Sequence, residues 1–130
     1  MTNVEASFAD QVHMVLRQMG GEASIEQLDA HLMAITSREN YLKITKVGWR
    51  TAIRRACTRR NNDTGLPEAP SVNGVYKQLE FYSVDEYRVL IGDHMHLSRR
   101  ERAQAQRFAD ECESAHGVRI DVEDYATETG

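Results

Sequence analysis

Residues 46–60 interleave apolar and cationic side chains with the period of an α-helix, which requires a fold that covers one side of this segment and leaves the other exposed. At about 100° per residue, the apolar side chains gather on one face of the helix. This face carries Trp49, Ala52, Ile53, Ala56 and Cys57. Because such a face must pack into a core, the sequence predicts an amphipathic helix over 46–60, with Thr45 as its N-cap.

The opposite face of this helix is mostly polar and carries three arginines. Its residues are Val47, Arg50, Thr51, Arg54, Arg55 and Thr58. The helix itself supplies no Glu or Asp at helical spacing to pair with these arginines. Residues 38–60 contain eight Lys or Arg and one Glu, a net charge of +7, in a chain whose net charge is −4. This concentration of charge favours binding to a polyanion such as the phosphate backbone of a nucleic acid.

Two helices are predicted before this segment. Apolar residues recur at helical spacing over 7–19, and Gly20-Gly21 ends the pattern. Ser24 is a good N-cap for a second helix, whose apolar stripe is Ile25, Leu28, Leu32 and Ile35. We expect 36–44 to be a polar connection with a short extended piece over 41–44.

A β-hairpin is predicted after the cationic helix. The run 61–65 is rich in turn-forming residues, and the loop over 61–72 holds both prolines of the chain. Asn73-Gly74 favours the positive backbone angles of a two-residue hairpin turn. The flanking strands would be 70–72 and 75–79, and the second strand could extend through residues 80–82.

The remaining residues read as two helices and a short strand. Ser83 with Glu86 forms a capping-box pattern before a helix over 84–96, and Ser98 with Glu101 forms another before a helix over 99–116. The latter helix has a stripe of mostly small residues, Ala105, Phe108, Ala109, Cys112 and Ala115. Such a stripe packs closely against another helix or forms a two-fold contact between copies. Alternation over 118–122 predicts a half-buried strand.

The region from Phe8 to Leu79 resembles a winged helix-turn-helix domain. Gly20-Gly21 stands before the second helix, and residues 45–51 open the recognition helix. The hairpin segment Gly74-Val75-Tyr76-Lys77-Gln78-Leu79 is similar to the Gly-x-Tyr-x-Leu-like phrase of winged-helix modules attached to restriction enzymes and chromatin factors. The resemblance implies a mainly α fold with a small β-hairpin (α+β). A winged helix-turn-helix would span 7–82, a C-terminal helical extension 83–124, and a flexible tail 125–130.

The resemblance also implies a set of residues that contact double-stranded DNA. The first half of the recognition helix would enter the major groove, with bases nearest to Lys46, Val47, Arg50, Thr51 and Arg54. An arginine there could bond a guanine in bidentate fashion. Arg55, Arg59 and Lys43 would contact phosphates, which position the protein without specifying sequence. Lys77 on the hairpin would hold a flanking phosphate or reach the minor groove.

No residue pattern in the chain indicates catalysis, a metal site or a cofactor. No serine lies in a Gly-x-Ser-x-Gly motif, and the glycines do not form a phosphate-binding loop. His94 and His96 diverge on a helix, so we expect surface histidines rather than zinc ligands. Cys57 and Cys112 fit helical patterns as small buried residues. No apolar run approaches the length of a membrane span, and we expect a cytoplasmic protein, associated with the nucleoid, or a nuclear one in a eukaryote.

These patterns lead to one expected function and two alternatives. We expect a sequence-specific double-stranded DNA-binding protein, a small transcriptional regulator without enzymatic activity, whose helix 99–116 either forms a homodimer or completes the domain. The first alternative is a protein-interaction adaptor, of phage type or regulatory, whose winged helix binds an acidic partner. The second is a DNA-packaging or replication subunit that acts inside a larger assembly.

Overall fold

The computed structural model describes residues 4–45, 48–96 and 99–126. In these residues it shows a mainly helical α+β fold with seven α-helices and one three-stranded antiparallel sheet. The elements in chain order are α1 (Val4–Gln18), β1 (Glu22–Ser24), α2 (Ile25–Ile35), α3 (Arg38–Ile44), α4 (Trp49–Cys57), β2 (Ser71–Val72), β3 (Val75–Lys77), a 3-10 helix (Leu79–Phe81), α5 (Val84–Met95), α6 (Arg99–His116) and α7 (Glu123–Ala126). The predicted fold class, mainly α with a small antiparallel β element, is confirmed.

The chain divides into two compact units. The first comprises Met1–Asn61 and Pro67–Phe81, and the second comprises Asn62–Leu66 and Tyr82–Gly130. The first unit therefore contains α1 to α4, the sheet and the 3-10 helix, whereas the second contains α5 to α7.

Helices α1, α2 and α4 enclose the core of the first unit. Their fully buried side chains are Val12, Val15 and Leu16 of α1, Leu28 and Leu32 of α2, and Ile53 and Cys57 of α4. Each buried aliphatic side chain of this kind contributes about 1.5–3 kcal/mol to stability. The periodicity predicted these faces correctly except at the end of α2, where Ile35 is exposed.

The sheet joins the hairpin to a strand that lies some fifty positions earlier in the chain. Its strand order is β1-β3-β2. In β1, Glu22 pairs with Lys77 and Ser24 with Val75. Asn73 and Gly74 have φ angles of 54° and 80°, as a two-residue hairpin turn requires. The predicted hairpin is confirmed, β1 was not predicted, and residues 79–81 form a 3-10 helix where the sequence predicted strand.

The connection between α2 and α4 is also helical. The prediction of an extended piece over 41–44 is wrong, because these residues belong to α3. Ser37 caps this helix by accepting a hydrogen bond from the Asn40 amide at 3.2 Å. A serine suited to an N-cap was present in the sequence. The helix spans only about two turns, however, which is too short to show helical periodicity.

The cationic helix is shorter than predicted. Thr45 is the C-cap residue of α3, and its hydroxyl donates to the carbonyl of Leu42 at 3.1 Å. Helix α4 begins at Trp49 after Gly48, whose φ angle is 93° and which provides no side-chain cap. Residues Lys46 and Val47, predicted to open the helix, lie outside the described residues.

In the second unit, α5 packs on α6. The predicted capping box of Ser83 and Glu86 is confirmed at the start of α5, whereas Ser98 lies outside the described residues. The small-residue stripe of α6 is buried within this unit, except for the exposed Ala115: the buried members are Ala105, Phe108, Ala109 and Cys112. The stripe therefore offers no free face to a second copy, and the homodimer stays a prediction.

The C-terminal residues fold differently from the sequence prediction. The predicted strand over 118–122 is wrong, since residues 118–121 have no regular structure and α7 follows at Glu123–Ala126. The ring of Tyr125 in α7 lies close to Gly92 of α5. The flexible tail predicted from residue 125 therefore overlaps α7, and residues 127–130 lie outside the described residues.

Two adjacent glycines that end α1 give a test of the first unit. Gly20 and Gly21 both have positive φ angles, but only Gly21 lies against Phe81, whose ring would be 2.4 Å from an added Cβ atom. We expect Gly20→Ala to lower the free energy of unfolding by about 1–2 kcal/mol through its backbone angle. Gly21→Ala should lose at least about 1 kcal/mol more, because the methyl group overlaps the ring.

Urea unfolding of both variants, followed by circular dichroism, measures the difference. Measured against a Phe81→Ala parent, Gly21→Ala should cost about as much as Gly20→Ala costs in wild type, because the overlap with the ring is gone. Equal losses in the two single variants would show that Phe81 does not pack on Gly21 as described.

Candidate nucleic-acid interface

Helix α4 is fixed in rotation by the aromatic residue at its start. Trp49 is half-buried, with its ring centroid 5.2 Å from that of Phe8 and 5.1 Å from that of Tyr41. Its indole Nε1 donates a hydrogen bond to Asp29 Oδ1 at 2.7 Å. Trp49 is thus a packing residue, as its phase in the sequence predicted, and the opposite face of α4 points to solvent.

Four of the predicted DNA-contacting residues are exposed on that outer face. They are Arg50, Thr51, Arg54 and Arg55. Within the described residues, no carboxylate lies at ion-pair distance from Arg54 or Arg55. Burial raises the pKa of Tyr76 in β3 and the Arg54 guanidinium opposes that shift, so Arg54 lies beside the hairpin. The sequence correctly placed these side chains on the solvent face.

Arg50, in contrast, is paired with carboxylates of α2. Its Nε donates to Asp29 Oδ2 at 2.9 Å, and its Nη1 is 3.8 Å from Glu26 Oε1. The side chain remains 48% exposed. The sequence showed no acidic residue on the same helix, but the structure brings these two from a neighbouring helix.

Arg59 is also neutralised by the chain's own carboxylates. Its Nε and Nη2 donate to Glu68 Oε2 at 3.1 and 3.0 Å, and its Nη1 donates to Asp10 Oδ1 at 2.9 Å. The bond to Asp10 and the bonds to Glu68 raise the pKa of Arg59. All three of its nitrogens are engaged, so this arginine links α1 to the segment after α4 and does not present a free phosphate contact.

The two predicted lysine contacts in the described residues are paired as well. Lys43 Nζ lies 3.2 Å from Glu39 Oε1, one turn earlier in α3. Lys77 Nζ lies 3.8 Å from Glu22 Oε2 on the adjacent strand, and its side chain is only 17% exposed. Both pairs involve an exposed carboxylate and are weak, so a phosphate could compete for either lysine.

A buried polar cluster that the sequence did not indicate lies behind Arg59. His13 Nε2 donates to the carbonyl of Ala56 at 2.7 Å and lies 3.1 Å from Glu68 Oε2. Gln78 Nε2 donates toward His13 Nδ1 at 3.5 Å, an arrangement that fits a neutral imidazole. Burial lowers the pKa of His13, against opposing contributions from Ala56 and Glu68. An isolated histidine in an amphipathic helix carries no sequence signal for such a cluster.

The other histidines and the cysteines have structural surroundings. His94 is half-buried against Phe108, with ring centroids 5.0 Å apart, and so is not the surface histidine that was predicted, whereas His96 is exposed. Burial raises the pKa of the Cys57 thiol to about 12. Cys112 is also fully buried, which confirms the prediction that both cysteines are packing residues. Among the described residues, no group of three His, Cys, Asp or Glu is arranged to hold a metal ion.

Comparisons of this chain with protein-family models, with curated proteins and with solved structures found no match. None of the helices in the described part of the chain combines the length and the apolarity that crossing a bilayer requires.

The buried His13 makes stability depend on pH. Since burial holds the pKa of His13 below that of the unfolded chain, about 6.5, the unfolded state binds the proton first as pH falls. The stability that His13 contributes is therefore present above that pH and lost below it. We expect His13→Gln to weaken the fall in Tm between about pH 7.5 and about pH 5.

Thermal unfolding by circular dichroism at several pH values tests this expectation. His31→Gln is the matched control, because His31 is exposed on α2 and its replacement should leave the pH dependence of Tm unchanged. Identical pH profiles for wild type and His13→Gln would contradict the neutral, buried state of His13.

Proposed function

We propose that this protein binds double-stranded DNA through a winged helix-turn-helix unit over residues 7–82 and acts as a small transcriptional regulator. Helix α4 would enter the major groove and the β2–β3 hairpin would serve as the wing. The protein would act by occupying its site, without chemistry on the DNA.

The order and pairing of elements support this arrangement. Helix α2 and helix α4 form the helical pair, β1 joins the hairpin through β3, and the hairpin follows α4 as a wing follows a recognition helix. Helix α3 lies in the connection between α2 and α4, and this connection is long because it contains the helix. The topology alone does not specify a ligand, because one fold serves many functions.

The observation that carries the proposal is the exposure of Arg54 and Arg55, neither of which has a carboxylate partner among the described residues. In an acidic chain, Arg50 of this helix is neutralised from α2, and Arg59 just after the helix is neutralised from α1 and from Glu68. The exposed guanidinium groups of Arg54, beside the hairpin, and of Arg55, with Thr51 one turn earlier, fit contacts with phosphates and base edges. Fewer cationic side chains are therefore proposed to attract the duplex than the sequence predicted.

The first test removes the two free arginines. Arg54→Ala with Arg55→Ala should weaken binding to a duplex selected from a random pool by roughly 100-fold, since each contact contributes about 1–3 kcal/mol. Fluorescence anisotropy with labelled duplex measures the affinity. Circular dichroism should show unchanged helicity, because neither side chain is part of the core.

The matched control is Arg88→Ala with Arg119→Ala, which removes the same charge from exposed positions of the second unit. We expect the affinity of this control variant for the duplex to stay within a factor of about two of wild type, because the lost charge acts on DNA only at long range. If both double variants bind the selected duplex as wild type does, helix α4 is not the DNA-contacting element.

An adaptor that binds an acidic protein is the second candidate. It is favoured by the neutralisation of Arg50 and Arg59, which leaves a small cationic surface. The salt dependence of binding separates the two functions. With several phosphate contacts, log K should fall steeply with log salt, by about 0.9 per contact, whereas an adaptor would show weak DNA binding without sequence preference.

A further inference from the structure

Asp29 connects the two residues that open α4. Its Oδ1 accepts a hydrogen bond from the Trp49 indole at 2.7 Å, and its Oδ2 accepts one from Arg50 Nε at 2.9 Å. Its side chain is 23% exposed, about half the exposure of Arg50. Because the indole belongs to the packed part of the unit, it holds the carboxylate in place, and the carboxylate in turn holds the arginine.

This contact leaves the end of the Arg50 guanidinium available. An arginine has five N–H groups, and Asp29 engages only the one on Nε. Nη1 is 3.8 Å from Glu26 Oε1, beyond hydrogen-bond distance. The two terminal nitrogens can therefore still donate a parallel pair of hydrogen bonds, the geometry with which arginine recognises O6 and N7 of guanine.

The same contact makes Arg50 a poor phosphate ligand. With Asp29 bonded and Glu26 nearby, the local charge around Arg50 is no longer positive, so its long-range attraction for DNA is weak. Short-range hydrogen bonds to a base edge do not need that attraction. An oriented side chain also loses less rotamer freedom on binding than a free one.

We propose that Asp29 is a positioning residue that orients Arg50 to read a guanine in the major groove, while the free Arg54 and Arg55 supply general attraction to DNA. This inference rests on the proposed DNA-binding function. It divides the cationic residues of α4 into one that discriminates between sequences and two that hold the duplex.

The experiment compares Asp29→Asn with Glu26→Gln. Both variants remove one negative charge from α2 near Arg50, but only Asp29 is hydrogen-bonded to it. Asp29→Asn replaces one carboxylate oxygen with an NH2 group, so either Trp49 Nε1 or Arg50 Nε loses its acceptor. Each variant is titrated with the selected duplex and with duplexes in which one guanine at a time is replaced by 7-deazaguanine, which lacks the N7 acceptor.

We expect wild type to lose about tenfold in affinity at one particular 7-deazaguanine position, as loss of one base contact implies. Asp29→Asn should reduce this discrimination to about twofold or less, with unrelated duplex bound as well as or better than before. Glu26→Gln should keep the discrimination. Arg50→Ala, which leaves the bond between Asp29 and Trp49 in place, should lose discrimination at the same position even if Asp29→Asn fails to fold.

Two outcomes would overturn the inference. If Asp29→Asn and Glu26→Gln raise affinity for all duplexes equally, and both still distinguish guanine from 7-deazaguanine, the acidic residues of α2 only weaken DNA binding through their charge. If Arg50→Ala retains the guanine preference, Arg50 does not read that base. Both results leave the proposed function standing, whereas absence of wild-type binding to any duplex at low salt would refute the proposed function and this inference together.

Discussion

Burial of the apolar face of α4 is the constraint on which the arrangement of the first unit depends. Ile53 and Cys57 are fully enclosed by α1 and its neighbours, so the helix has one permitted rotation about its axis. That rotation turns Arg54 and Arg55 toward solvent. It also brings Arg50, and Arg59 just after the helix, within reach of carboxylates on adjacent elements. Hydrophobic packing thus decides which arginines are free and which are paired.

Much of the fold follows from local sequence signals, because caps, turns and periodicity act over a few residues. The capping residues Ser24 and Ser83 and the turn at Asn73 and Gly74 all lie where they were predicted. Strand β1 was not predicted, because three residues are too few to show alternation. Its extended conformation depends on pairing with β3, which is distant in sequence. Helix α3 was not predicted, because two turns show too little periodicity to distinguish a helix from a short extended segment.

The candidate site was predictable only in part. Phase along α4 correctly indicated that Arg54 and Arg55 are exposed. Pairing could not be read in the same way, since Arg50 meets an acidic residue 21 positions away and Arg59 meets one 49 positions away. Such contacts depend on the packing of whole helices, and the sequence of a single helix cannot indicate them. The cluster around His13 and Gln78 was missed for the same reason.

The dimensions of the sheet have a consequence for self-association. Its two outer strands are β1, with three residues, and β2, with two residues, and both are bonded on their inner side to β3. A foreign strand that docked on either rim would find room for only one or two main-chain hydrogen bonds, too few to compensate for its loss of chain entropy. The short outer strands therefore make the sheet a poor template for edge-to-edge polymerisation.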